Sequence, residues 1–376
     1  MGNYIVHRNY YSCKKTWFYK YTKNKINLLR NIATIGHLGF LYNFNSIIQP
    51  EKNKSVPFFP GFRRQLSMST NQRHEREFGF LVEPLGGDFS GGKISPLEDH
   101  ADRAEWFEER SNRDGYYYPP EVVTYEVDPS TRERKKKVDR SERPASVYGL
   151  PPSHWLELES PLDTSNTSCS DDALIIYVLA YLYGTRLQFA DWRFEGRVPY
   201  KSTNNIFFHP ETCLEFLGHT YDWWRSKPTD IRTRLINILY VLTRARSLEW
   251  EWDAFTHQYM VFDAIYRLHT TLNPSAPKAQ NHRGRFEVLL SEYGIPTDDA
   301  LVNKMYNARN ELFHEAMWTG STIGFGSMDR EAYYFPHHLS RLNSRLICGL
   351  VDYRNDYLGS VWWAMGTFSF GPRREN

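Results

Sequence analysis

Seven segments between Ser170 and Leu358 carry helical spacing, and this run most constrains what the chain can fold into. Residues 173–183 are apolar at nearly every position. That predicts a buried helix, started by Asp171 and Asp172 and closed by Gly184. Residues 210–224 form a second candidate. Residues 229–248 follow Pro228 and keep the period through Ile231, Leu235, Ile238, Leu239, Leu242 and Ala245. Residues 252–272 continue it with Phe255, Tyr259, Phe262, Ile265, Tyr266 and Leu268, and stop at Asn273-Pro274. Residues 283–293 end at Gly294, and 298–317 and 336–358 complete the set. Short connections predict neighbouring antiparallel helices, hence an all-α, four-helix-bundle architecture.

The sixth segment carries the chemistry. Side chains three and four apart share a helix face. Leu301, Met305, Ala308, Leu312 and Ala316 make an apolar stripe, widened by Val302, Tyr306, Phe313 and Met317. Asn303, Asn307, Asn310 and His314 follow the same spacing and predict a polar stripe. Arg309 sits on the flank, where its stem packs and its guanidinium reaches out. A guanidinium binds phosphate and an imidazole moves a proton, and RNA cleavage by a 2′-hydroxyl needs both. Asp263 lies among apolar residues of the fourth segment, where a carboxylate needs a partner; the open readings are that it pairs with Arg309 and orients it, that it holds a structural ion pair, or that it sits at the surface.

Arg309-Asn310-x3-His314, late in a helical domain and followed by a last long helix, resembles the active motif of HEPN domains. Residues 174–199, running through Tyr183-Gly184-Thr185-Arg186 to Gly196-Arg197-Val198-Pro199, are similar to the opening segment of the Apea-like HEPN group. So is Met305-Tyr306-Asn307-Ala308, leading into the arginine. The resemblance covers roughly residues 145–360. It implies a four-helix bundle that pairs into a homodimer and cleaves RNA without a metal or cofactor, in a toxin-like or antiviral defence role with a possible antitoxin partner. In that reading Arg309 binds the scissile phosphate. His314 serves as general base or acid, and Asn310 fixes the imidazole or contacts phosphate. Other members of the family have lost catalysis, so an inactive RNA- or protein-binding scaffold is the alternative.

The rest of the chain is less specific. Of its 376 residues 46 are Lys or Arg and 44 Asp or Glu, a net charge of +2. Residues 1–70 hold 11 of the bases and one acid, Glu51, so the remainder is net acidic. RNA binding there must rest on a local patch. Residues 1–67 read as a basic extension with three open readings: a true start at Met68, a disordered tail, or organellar targeting. Residues 68–150 read as a small irregular region with strands at 78–82 and 122–127 and a short charged helix at 101–111. Residues 130–142, rich in Lys and Arg, read as a solvated loop. The helical domain spans 151–360 and a tail 361–376.

Cys13, Cys169, Cys213 and Cys348 form no CxxC pair, which argues against structural zinc and fits a reducing, cytoplasmic setting. No stretch has the run of about 20 apolar residues that a membrane span needs. Gly87 to Lys93 matches seven positions of a phosphate-binding loop, but Ile94 stands where the metal-binding Ser or Thr belongs, so a turn is expected. His337-His338 has no metal-ligand spacing, and Trp223-Trp224, Trp250 and Trp252 read as core anchors.

Overall fold

The chain begins its described structure with a strand whose residues are mostly charged. The computed structural model describes residues 74–374 except 113, 129, 132–133, 163–169, 201–204, 325–329 and 365. The basic extension, Met68, Cys13 and Cys169 lie outside the described residues. The elements run β1 (His74–Gly79), β2 (Gly87–Phe89), β3 (Gly92–Pro96), α1 (His100–Arg110), β4 (Tyr116–Tyr117), β5 (Glu121–Val127), β6 (Arg134–Pro144) and β7 (His154–Leu158). Then come α2 (Asp171–Tyr183), β8 (Gln188–Phe189), β9 (Val198–Pro199), β10 (Ile206–Phe207), α3 (Pro210–Arg225), α4 (Thr229–Ala245) and α5 (Glu251–Leu272). Last are α6 (His282–Tyr293), α7 (Asp299–Asn310), a π-helical turn Glu311–Glu315, β11 (Met317–Trp318), β12 (Ser321–Thr322), α8 (Phe335–Leu350) and β13 (Phe368–Ser369).

The fold is mixed α and β, which corrects the all-α expectation. A five-stranded antiparallel sheet has the order β2-β3-β7-β1-β8. Its edge strand β8 follows α2, so the sheet draws on the chain on both sides of that helix. The sheet was hard to read because β1, His-Glu-Arg-Glu-Phe-Gly, looks polar. Its charges have a partner instead: Arg76 Nη1 donates to Asp172 Oδ2 at 2.6 Å, and His74 Nε2 lies 3.2 Å from the same oxygen. In β7 His154, Leu156 and Leu158 point into the core, the period-2 pattern of a half-buried strand.

Two smaller expectations also change. Residues 130–142 are not a loop: β6 pairs antiparallel with β5, from Val127↔Arg134 to Glu121↔Pro144 with bulges between. Backbone pairing in a two-stranded ribbon does not require an apolar face, so charge content was no guide. The phosphate-loop lookalike is a hairpin, with Gly87 opposite Ile94. It packs on α3 at a close approach: a Cβ on Gly218 would stand 2.8 Å from Ser90 N.

The helices follow their expected starts and stops closely, except that α7 ends at Asn310 and not near Met317, and α8 at Leu350 and not near Leu358. Ser170 caps α2 through its side chain, and Gly184 closes it at φ 67°. Every residue of α2 is buried. It packs against α3 and α4; α5 packs against α4 and α8, and α6 against α5, α7 and α8. Phe78, Ile94, Leu156 and Leu158 of the sheet join the same apolar cluster as these helices. Each fully buried Leu, Ile or Phe contributes about 1.5–3 kcal/mol, so sheet and helices are stabilised together. Cys213 and Cys348 are buried free thiols. Among the described residues no helix is long and apolar enough to cross a membrane.

Candidate functional site

Asp298 starts α7 by accepting from Leu301 N at 3.0 Å. Leu301, Val302, Met305, Ala308 and Leu312 are buried and hold the helix down. The apolar stripe ends there: Phe313 is 49% exposed and Ala316 is exposed. The expected single helix over 298–317 is therefore shorter. At Glu311 it widens into one π turn, closed by Ala316, whose N–H donates to Glu311 O at φ 54°.

The π turn decides which side chains meet. In a regular α-helix a residue five positions on points roughly 140° away. In a π turn i and i+5 are brought over one another. Arg309 Nη1 consequently lies 3.2 Å from His314 Nε2. The cause is tertiary. Trp318, just past the turn, is fully buried, 5.1 Å from the Phe255 ring and 6.3 Å from Phe335. Glu311 Oε2 accepts from Gly320 N at 3.0 Å and holds the returning chain.

Arg309 is the hub. Nη1 also donates to Asn310 Oδ1 at 3.1 Å, and Nη2 lies 3.3 Å from His282 Nε2. Its Cζ stands 4.9 Å from the Phe313 ring centroid and 5.8 Å from that of Tyr259. Its Nε is buried without a hydrogen-bond partner among the described residues. Of the readings open for Asp263, the structure has the ion pair and not the pairing with Arg309. Its Oδ1 accepts from Arg285 Nη1 at 2.5 Å and lies 3.4 Å from His282 Nδ1. The carboxylate thus reaches the guanidinium only through an imidazole, in the order Asp263, His282, Arg309, His314.

His282 is the functional candidate that spacing missed. It opens α6 behind Asn281, which caps the helix by accepting from Gly284 N at 2.8 Å. Burial holds its pKa below the usual histidine value; Arg285 and Arg309 push the same way and Asp263 opposes them. The positive end of the α6 dipole also disfavours a charged imidazole there. Tyr259, with its ring 6.1 Å from His282, walls the site; burial first, then Asp263, pushes its phenol up. Nothing in the residues around 282 ties it to Arg309, 27 positions on. One signal was readable: Tyr259 and Asp263 are four apart and share a face of α5.

The expected polar stripe divides. Asn310 joins the site. Asn303 belongs to another network, accepting from Arg283 Nε at 2.9 Å, with Arg283 also on Asp299 at 2.7 Å and Glu287 at 2.5 Å. Asn307 is exposed and bonded to neither Arg309 nor His314. What the arrangement offers is one guanidinium with an imidazole at each end, and His314 on the surface. A fork of this kind binds a phosphate, and either imidazole can move a proton. Among the described residues no three or more His, Cys, Asp or Glu side chains are grouped to hold a metal ion. No protein-family model matches the chain, and no curated protein or solved structure is detectably similar to it.

Proposed function

We propose that this protein is an endoribonuclease of HEPN type that works without a metal. The observation that supports the reading most is the π turn, which sets His314 Nε2 3.2 Å from Arg309 Nη1 at the protein surface. The reaction is a transesterification. The 2′-oxygen forms a bond to the adjacent phosphorus while the bond to the 5′-oxygen breaks. The products are a cyclic phosphate and a 5′-hydroxyl. Arg309 binds the non-bridging oxygens and stabilises charge that grows on them. His314 moves a proton at the 2′- or 5′-oxygen. Asn310 holds Arg309 through its carbonyl oxygen. Two copies meet through the α7 face that carries Asn303, Asn307, Asn310 and His314, as the resemblance implies.

A binding module is the second reading. It draws on the many contacts that Arg309 makes within its own chain, since a side chain so engaged also serves as an anchor. The test incubates purified chain with single-stranded RNA in EDTA. Cleavage is expected from wild type. His314→Ala lowers the rate roughly 10²–10⁴-fold, and Arg309→Ala about 10²–10³-fold. Arg309→Lys is expected to be nearly as poor, because an ammonium cannot reproduce the planar fork. Wild type that cuts no RNA, with variants that change only light-scattering mass or melting temperature, leaves the binding module.

A further inference from the structure

Building on the RNA-cleavage reading, we propose that His282 is a catalytic residue, the general base that takes the 2′-hydroxyl proton, with Asp263 as its positioning residue and His314 as the general acid. The guanidinium of Arg309 has His282 Nε2 at one end, 3.3 Å from Nη2, and His314 Nε2 at the other, 3.2 Å from Nη1. In-line displacement needs a proton removed on one side of the phosphorus and supplied on the other. A phosphate seated on this fork has one imidazole toward each side.

The two histidines differ in ways that divide the work. His282 Nδ1 faces Asp263 Oδ1 at 3.4 Å, and that carboxylate is pinned by Arg285 at 2.5 Å. His282 Nδ1 is buried without a hydrogen-bond partner among the described residues, and the Asp263 carboxylate 3.4 Å away stabilises the imidazolium formed when Nε2 takes a proton. The groups facing His282 are Asp263 and Tyr259 from α5, Arg285 on α6 and Arg309 on α7. Burial, Arg285 and Arg309 lower its pKa and Asp263 opposes them. His314 is exposed, and no carboxylate is paired with it among the described residues. When protonated it ceases to accept from Arg309 and becomes a donor. In the step the 2′-O–H proton passes to His282 Nε2, the 2′-O–P bond forms, the P–5′-O bond breaks, and His314 Nε2–H protonates the 5′-oxygen. Both proton-transfer groups then come from one chain, so the second copy is not needed to complete the set.

The experiment uses the full chain, His282→Ala, His282→Gln and His314→Ala, on two RNA substrates: one ordinary, one with sulfur replacing the bridging 5′-oxygen. Thiolate leaves without protonation, so it relieves loss of the acid but not loss of the base. His282→Ala and His282→Gln are expected to lower kcat roughly 10²–10⁴-fold on both substrates with little change in KM. They also lose the acid limb of the pH–rate profile. Added imidazole restores part of the rate to His282→Ala, a readout that holds even if the variant is less stable. His314→Ala is expected to recover on the sulfur substrate. Cleavage that needs His314 but proceeds within threefold of wild type in His282→Ala overturns the assignment and leaves the RNA-cleavage reading standing. So does a His282 defect that sulfur repairs, or one that imidazole leaves unchanged. Wild type that cuts neither substrate removes both.

Discussion

Phe313 stands 49% exposed beside Arg309, its ring centroid 4.9 Å from the guanidinium carbon. If the proposed RNA-cleavage reading holds, this ring at the rim of the site is a stacking platform for a neighbouring base. Such stacking is worth about 1–3 kcal/mol per base. Phe313→Ala is therefore expected to raise KM for single-stranded RNA roughly tenfold, leaving kcat within a few-fold, as steady-state kinetics on a short oligonucleotide would read. A fall in kcat at constant KM would instead make the ring a support for Arg309. At this scale the sequence was informative about identity and poor about partners. Arg309, Asn310 and His314 lie in one short stretch, so the sequence names them together, but the meeting of Arg309 with His314 depends on the π turn. Asp263 was correctly expected to need a partner, but the partners are Arg285 and His282, because α6 packs between its helix and α7.

The π turn is the element on which the site depends. It is closed by Ala316 in the left-handed region at φ 54°, a conformation that costs a non-glycine residue about 1–2 kcal/mol. Ala316→Gly is expected to stabilise the protein by about 1 kcal/mol, seen as a higher denaturant midpoint at unchanged slope, with RNA cleavage retained. A lower midpoint would mean that the cost lies elsewhere. The stops at Gly184 and Gly294 were legible because such closures are local; the caps Ser170, Asn281 and Asp298 likewise act within a turn of where they stand. The end of α7 was not legible, because the burial of Trp318 against Phe255 and Phe335 pulls the chain out of the α-helix.

Across the whole molecule, three titratable groups set how stability responds to acid: His154 and Asp172, both buried, and the half-buried His338. His154 in β7 is pushed down to about 3, first by burial and then by neighbouring His100. His338 on α8 is pushed down to about 4 by burial, Arg341 and His337. Unfolded, both take a proton near 6.5; folded, they resist it. Stability is therefore fully present above pH 6.5 and is lost as pH falls from there toward 4 and 3. Asp172 acts in the same sense at lower pH: burial raises its pKa, but His74, Ser170 and Arg76 prevail and hold it at about 2. Its contribution is present above 3.8 and lost as pH falls through 2. Thermal melts are expected to decline in two stages, starting near pH 6.5 and steepening below 3.8. His154→Phe, placed where the ring already stacks on Phe78, flattens the first stage. A melting temperature level from pH 6.5 to 4.5 in wild type would contradict this.

The sequence by itself determined which stretches are helices, where they begin, and which three neighbouring residues, Arg309, Asn310 and His314, are candidates for chemistry. Periodicity, caps and short motifs act over one or two turns of chain. Tertiary structure decided the rest. The five-stranded sheet depends on pairings between residues as distant as Glu75 and Glu157, which no local pattern encodes. β1 was disguised by charges whose partner, Asp172, lies nearly a hundred positions away. His282 enters the site because α6 packs against α5 and α7, and His314 meets Arg309 because a distant tryptophan pocket opens the helix by one residue. Long-range burial chose these contacts, since the free energy of removing apolar surface from water is blind to separation along the chain.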